Sequence, residues 1–242
     1  MQQLTCKIRS VDHCNADTRR VLLEIPAGAS FNFKAGQYLN IVVAGKPCPF
    51  SIASSPEIKD TIELHVRPTA GSADSVEIEK LLDSADQLHI TYPMGECYID
   101  NPIAGPLVLM AASTGITQMK SIIEFLIPRD THQPIWLYWG VVAAQDLYLT
   151  DMCRAWQAKI KNFTFVPVVS EPLRSPQWSG RTGLLPDAVL EDFNDLAGVE
   201  VYVSGSPGMV YATFDRFIQR GLAENMISSD VFFYAPRVKP QA

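Results

Sequence analysis

The stretch L-V-L-M-A-A-S-T-G-I-T-Q-M, Leu107 to Met119, decides how the chain is read. It opens on an unbroken apolar run, Leu107–Met110, short enough for a strand covered on both faces. Five small residues follow, Ala111-Ala-Ser-Thr-Gly115. From there apolar residues recur at helical spacing, with Ile116, Met119, Ile123 and Leu126 on one face of a helix predicted over Ile116–Ile127. A buried strand that runs through a small-residue loop into an amphipathic helix is the opening unit of a parallel α/β sheet.

Downstream, the alternation repeats. Ile135–Gly140 reads as a strand, and Thr150–Ile160 as a helix with Thr150 as its N-cap. Phe163–Val169 and Leu184–Asp192 continue the pattern. Val199–Ser204 is a predicted strand, Pro207–Arg220 a helix, and Val231–Tyr234 a last strand. This half is expected to be a doubly wound parallel sheet. Upstream, the signal is different. Cys6–Val11, Arg19–Ile25, Tyr38–Val43, Phe50–Ala53, Ile62–Val66 and Gln87–Tyr92 are short runs rich in Val, Ile, Leu and aromatics, separated by Gly and Pro turns. Ile62-Glu-Leu-His-Val66 alternates apolar with polar, as a half-buried strand does. Ser75–Leu82 is the one helical stretch. Regularly spaced short strands predict an antiparallel barrel or sandwich. The boundary falls at the turn-prone Asn101-Pro102, giving domains 1–101 and 102–242.

Composition limits the functions. The 242 residues are 47% hydrophobic and carry a net charge of -6, which argues against a nucleic-acid surface. The longest apolar runs are far too short for a membrane span, and the N-terminus lacks the regions of a signal peptide. Cys6, Cys14, Cys48, Cys97 and Cys153 are scattered and odd in number, so neither a disulfide framework nor a metal site is expected. A cytoplasmic protein is the resulting expectation.

Two loops stand where a parallel sheet binds ligands, at the carboxyl ends of strands: Ala111–Gly115 and Val203-Ser-Gly-Ser-Pro-Gly-Met209. Each reads either as a phosphate-approaching loop of a dinucleotide site or as an ordinary capped helix start. Pro207 suits a first helical turn. No Ser/His/Asp set or paired carboxylates can be placed. His65 lies on a strand, where a half-exposed or hydrogen-bonded histidine is the plain reading. Cys48 precedes Pro49 in extended chain, with nothing adjacent in sequence to lower its pKa.

Joined together, the halves resemble the ferredoxin–NADP reductase superfamily, and most closely its small NAD(P)H:flavin oxidoreductases. Ala35-Gly-Gln-Tyr-Leu39 resembles the family's strand before the flavin, and Pro49-Phe-Ser-Ile-Ala-Ser54 its flavin-binding R-P-[FY]-S-[IM]-A-S motif. Tyr92-Pro-Met-Gly95 resembles the turn that closes the barrel. Ala112-Ser-Thr-Gly-Ile-Thr-Gln-Met119 is similar to G-G-T-G-I-[ST]-P-[ML]. Leu137-Tyr-Trp-Gly140, Trp178-Ser-Gly-Arg-Thr-Gly183 and Val203–Met209 follow in family order.

The resemblance implies a Greek-key, flavin-binding antiparallel β-barrel followed by an α/β nicotinamide-binding domain. It also implies hydride transfer from NADH or NADPH to FMN, FAD or riboflavin, with the cofactors making the bonds. It gives Ser51 the catalytic place beside flavin N5. Tyr38, Pro49, Phe50, Ile52, Ala53 and His65 would hold the flavin, while Thr114, Gly115, Thr117, Ser204, Gly205, Pro207 and Met209 would line the nicotinamide crevice. The chain departs from the family at Cys48, which replaces an arginine that forks onto a flavin phosphate, and at Ala112-Ser113, which replaces two glycines. Gln118 stands for a proline, and Val141-Val142 follows Gly140 where relatives often place a basic residue. Three readings follow: a reductase using flavin as a loosely held substrate, a module with bound flavin that passes electrons to a separate protein, and a non-catalytic flavin- or nucleotide-binding module.

Overall fold

A computed structural model describes residues 1–100, 102–129 and 131–237. Asn101, on which the expected boundary falls, lies outside the described residues. The chain divides into two units, one comprising Met1–Asp100 with Lys120–Arg129, the other comprising the remaining described residues.

The first unit carries strands β1 (Gln2–His13), β2 (Arg19–Glu24), β3 (Tyr38–Val43), β4 (Lys46–Ser51), β5 (Thr61–Val66) and β6 (Gln87–Met94), with helix α1 (Ala73–Ser84) before β6. All pairings are antiparallel, in the order β4-β3-β6-β1-β2-β5. The β3–β4 hairpin turns through Ala44-Gly45, both at positive φ (48° and 80°), the backbone of a two-residue turn whose twist matches the strands. Past the end of β4, the Ala53 N–H donates to the Glu63 carbonyl at 2.8 Å. The two outermost strands therefore meet, and the sheet curls into a barrel.

Two expectations for this unit are corrected. The strand predicted over Phe50–Ala53 runs instead over Lys46–Ser51. Pro47 and Pro49 hid its start, yet an edge strand tolerates prolines, because their missing N–H groups can face away from the ladder. The strand Ile62–Val66 is not half-buried: every residue in it is at most 6% exposed. Ile62, Leu64 and Val66 pack into the barrel core, and the alternate residues Glu63 and His65 are buried too, Glu63 bonded both to His65 and to a lysine of the Lys120–Arg129 segment.

The second unit holds β7 (Leu107–Ala112), β8 (Ile135–Val141), β9 (Phe163–Val169), β10 (Arg181–Thr182), β11 (Glu200–Ser204) and β12 (Ile227–Ser228). Its helices are α3 (Thr150–Lys159), α4 (Leu185–Asp192), α5 (Pro207–Gln219) and α6 (Val231–Tyr234). Helix α2 (Ile116–Leu126) begins in this unit, and its residues from Lys120 onward belong to the first. The sheet is parallel throughout, in the order β10-β9-β8-β7-β11-β12. The chain winds outward from β7 through β8 to β9 and β10, then returns to the other side of β7 at β11. That reversal is the topological switch point of a doubly wound sheet. Val108, Met110, Val201, Val203, Val210 and Phe217 are buried together on one face.

Two further corrections belong here. Val231–Tyr234 is a single helical turn, in which the Asp230 carbonyl accepts from the Phe233 and Tyr234 N–H groups. A four-residue apolar run does not distinguish strand from helix, and the last strand lies just upstream, where Ile227 pairs with Val201. Thr150 is not the N-cap of its helix. Leu149 occupies that position, and the Thr150 hydroxyl donates back to the Leu147 carbonyl at 2.7 Å.

Candidate active site

The second unit brings its two predicted loops together. β7 and β11 are hydrogen-bonded neighbours, with Ala111 opposite Ser204, so both loops leave the same end of the sheet side by side. Their approach is close. A Cβ on Gly115 would stand 2.7 Å from the Ser204 carbonyl oxygen and 2.9 Å from its Oγ. Only a residue without a side chain fits there. The loop's shape is held by a residue that sequence reasoning did not single out: the buried Trp139 donates its Nε1 hydrogen to the Ser113 carbonyl at 2.8 Å. Ser113 sits at φ 52°, the left-handed conformation a glycine would adopt at little cost.

Among the other predicted residues, Thr117 is buried and donates its hydroxyl to the Thr114 carbonyl at 2.7 Å, tying the loop to the first turn of α2. Thr114, Ser204 and Gly205 keep partial exposure, and Pro207 is exposed at the first turn of α5. Ser206 caps that helix, its Oγ accepting from the Met209 N–H at 3.4 Å. The Met209 thioether lies against Gly205, where a Cβ would fall 2.3 Å from its Cε. Neither α2 nor α5 has an acidic residue in its first turn, whereas α1, α3 and α4 do. The N–H groups and positive dipole ends of α2 and α5 thus carry no competing carboxylate of their own, as an anion-binding pair requires.

The close fit at Gly115 has a measurable consequence. Gly115→Ala forces the β7 and β11 loops apart and is expected to destabilise the protein by about 1–3 kcal/mol, read as a lowered urea midpoint. An unchanged midpoint would show that the loops are not packed this tightly.

In the first unit, Tyr38 and Ser51 are paired across β3 and β4, so their side chains share one face, and both are partly exposed. Pro49 lies on that face as well, exposed and opposite Asn40. Phe50 points the other way and packs against the barrel core beside Cys48, which is 8% exposed. Ile52 and Ala53 are buried, and the Ile52 N–H donates to the Gln37 carbonyl at 3.1 Å. The structure therefore groups Tyr38, Pro49 and Ser51, and sets Phe50 on the opposite face. An open groove of about 390 Å³ lined by Gln3, Thr5, Val42, His89 and Thr91, among others, contains none of the predicted residues.

His65 belongs to a buried ionic cluster instead of an open surface. Its Nε2 meets Glu63 Oε1 at 2.8 Å, and its side chain is wholly buried. Arg20 donates to the same carboxylate oxygen at 3.1 Å, and Lys120 donates to Glu63 Oε2 at 3.2 Å and to Glu124 at 2.9 Å. Burial pushes Glu63 toward its neutral form. The His65 hydrogen bond and the charges of Lys120 and Arg20 outweigh that and hold the carboxyl well below its ordinary range. Burial lowers His65, against the pull of Glu63, and raises Glu124 despite Lys120. The sequence did carry one trace of this cluster, Lys120, the one charged residue of Ile116–Ile123. Burial raises the Cys48 thiol pKa, which works against a reactive thiolate there.

Residues 109–215, which span both switch-point loops, match the family described as oxidoreductase NAD-binding domain. The CDP-6-deoxy-L-threo-D-glycero-4-hexulose-3-dehydrase reductase of Yersinia pestis is 36% identical over 229 residues, covering 94% of this chain and 68% of that protein. An NAD(P)H-flavin reductase of Aliivibrio fischeri is 32% identical over 238 residues, covering 96% and 99% respectively. Among solved structures, the cytochrome P450 reductase GcoB of Amycolatopsis superposes with a TM-score of 0.86 at 30% identity, covering 95% of this chain and 69% of that one.

Proposed function

The chain belongs to the NAD(P)H-flavin reductases of the ferredoxin–NADP reductase-like superfamily, and on that premise we propose that it transfers hydride from NADH or NADPH to riboflavin, FMN or FAD taken up as a loosely held substrate. The observation that carries the reading is the contact of Gly115 with Ser204 at the switch point, a cradle that a single Cβ would fill. In the proposed division, residues 1–101 bind the flavin and residues 102–242 bind the nicotinamide nucleotide. Five free cysteines suit a reducing, cytoplasmic setting. Among the described residues no helix is long and apolar enough to cross a membrane.

The dihydronicotinamide supplies the hydride and the flavin N5 accepts it, so the protein's task is alignment and tuning, not acid–base chemistry. In this assignment Thr114, Gly115, Thr117, Ser204, Gly205, Pro207 and Met209 form the nucleotide's cradle, where the first turns of α2 and α5 present N–H groups to its diphosphate. Ser51 directs its hydroxyl to the N5 edge of the flavin. Tyr38 and Pro49 share its face, the Ile52–Ala53 backbone sets the height of the ring, Phe50 supports that strand from the barrel core, and His65 acts through its bond to Glu63.

Loose retention rests on Cys48. In place of an arginine fork stands a core thiol, and the nearby Lys46 is already paired with Asp74 at 3.7 Å. Cys48→Arg, whose aliphatic stem can carry the guanidinium out of the core, is expected to lower the KM for FMN about tenfold while leaving that for riboflavin unchanged. Equal shifts for both flavins would remove the phosphate clamp from this position.

A second reading, with bound flavin and a separate protein acceptor, is favoured by the likeness to two reductases named for partner enzymes. Steady-state oxidation of NADH and NADPH with and without added riboflavin or FMN separates the two. Turnover that requires added flavin supports the first reading. A flavin that copurifies and is reduced, but turns over only with a protein acceptor, supports the second. No reduction of any flavin by either nucleotide contradicts both and leaves a non-catalytic binding module.

A further inference from the structure

A lysine at the centre of the buried cluster also touches the proposed flavin strand. The side chain of Lys120 is 3% exposed, and its ammonium donates to the Ala53 carbonyl at 3.3 Å as well as to Glu63 and Glu124. The next residue repeats the contact, the Ser121 hydroxyl donating to the Ser54 carbonyl at 2.8 Å. β5 holds the same two residues from its own side. The Ala53 N–H donates to the Glu63 carbonyl at 2.8 Å, and the Ser54 Oγ accepts from the Glu63 N–H at 3.2 Å. Ala53 and Ser54, which follow Ser51 and Ile52 along the chain, are thus pinned from two directions, by a strand and by a helix segment.

Stability alone does not call for a charge here. Burying an ammonium costs solvation, and well-packed apolar residues often replace buried ion pairs without loss. What an ammonium and a neighbouring hydroxyl supply, and an apolar pair cannot, is a fixed direction for two consecutive carbonyls. We propose that Lys120 and Ser121 are positioning residues of the flavin site, holding the Ala53–Ser54 backbone so that Ser51 and Ile52 meet the isoalloxazine at a set height. The proposal rests on the reading of Ser51–Ala53 as the flavin strand. It assigns the second turn of α2 to flavin recognition, whereas the first turn belongs to the nucleotide cradle.

The test compares Lys120→Met, Lys120→Arg, Ser121→Ala and Ser51→Ala with the unaltered protein, measuring riboflavin KM, NADH KM, kcat and melting temperature. Misplacement of a binding strand by a fraction of an ångström is expected to raise the riboflavin KM of Lys120→Met about tenfold, with NADH KM within about twofold. Lys120→Arg should recover most of the loss, and Ser121→Ala should show a smaller shift in the same direction. A riboflavin KM unchanged in a folded Lys120→Met protein overturns the proposal. If that variant does not fold, Ser121→Ala decides alone, and an unchanged riboflavin KM there overturns it equally. If Ser51→Ala also leaves flavin turnover and affinity untouched, the flavin-strand reading itself falls. If Ser51→Ala is impaired while Lys120→Met and Ser121→Ala are not, only the positioning role is lost.

Discussion

Replacing Glu63 with alanine is expected to destabilise the protein by about 3–5 kcal/mol, the usual cost of leaving a buried ionic partner uncompensated. The carboxylate receives His65, Arg20 and Lys120, and it is 6% exposed. Without it, Lys120 keeps Glu124 but loses its deepest counter-charge, and the His65 ring is left without the carboxylate it meets. The same cluster sets the acid response. Glu63 is held below its ordinary value of 4.5, so its contribution is fully present above that value and is lost as pH falls toward its folded pKa. His65 is depressed from its ordinary 6.5, so it too stabilises the fold above that pH and ceases to do so below it. Glu124, raised from 4.5 by burial, acts in the opposite sense and offsets part of the loss under acid conditions. Melting temperature is therefore expected to decline in two stages, beginning below pH 6.5 and steepening below 4.5. Glu63→Gln should shrink the lower stage, leaving the share of Asp192 and Asp215, which Arg181 and Arg237 hold below their ordinary values. A loss under about 1 kcal/mol on Glu63→Ala, the level of an exposed ion pair, would mean that the cluster is not buried and paired in this way.

The second large effect concerns chemistry. Ser51→Ala deletes a partly exposed hydroxyl from a face it shares with Tyr38, and deletes no core contact. A hydrogen bond that strengthens as charge builds on the flavin is worth about 1.5–3 kcal/mol, so kcat should fall about 10- to 100-fold. Melting temperature and NADH KM should hold. The split matters: a fall in kcat with a parallel fall in stability would point to strand disruption instead of a lost transition-state contact. Unchanged kcat and flavin KM would take Ser51 out of the site.

The architecture of the second unit was legible because its signals are local. Leu107–Gly115 and Val203–Met209 are strand-to-helix junctions, and a parallel sheet places such junctions at one edge whatever lies around them. That the two loops touch depends on β11 returning beside β7, a long-range pairing no short window reveals. In the first unit, Tyr38–Val43 and Arg19–Glu24 were readable from β-branched and apolar content. The start of β4 was hidden by Pro47 and Pro49, because an edge position, which permits them, is a property of the finished sheet. The Glu63–His65–Lys120 cluster was the least accessible feature. Alternation along Ile62–Val66 means a solvated face unless a helix segment from elsewhere in the chain covers it, and one does. Val231–Tyr234 is ambiguous for the opposite reason, since four apolar residues fit a strand and a helical turn equally well.

The central claim, that hydride passes from a dihydronicotinamide to a flavin on this chain, is tested most directly by anaerobic mixing of the purified protein with riboflavin and NADH or NADPH deuterated at the transferring position of C4. The account predicts loss of the oxidised-flavin absorbance with stoichiometric nucleotide oxidation, slowed by deuterium and slowed further in Ser51→Ala. Flavin absorbance that persists with both nucleotides, in protein shown to be folded, would contradict it.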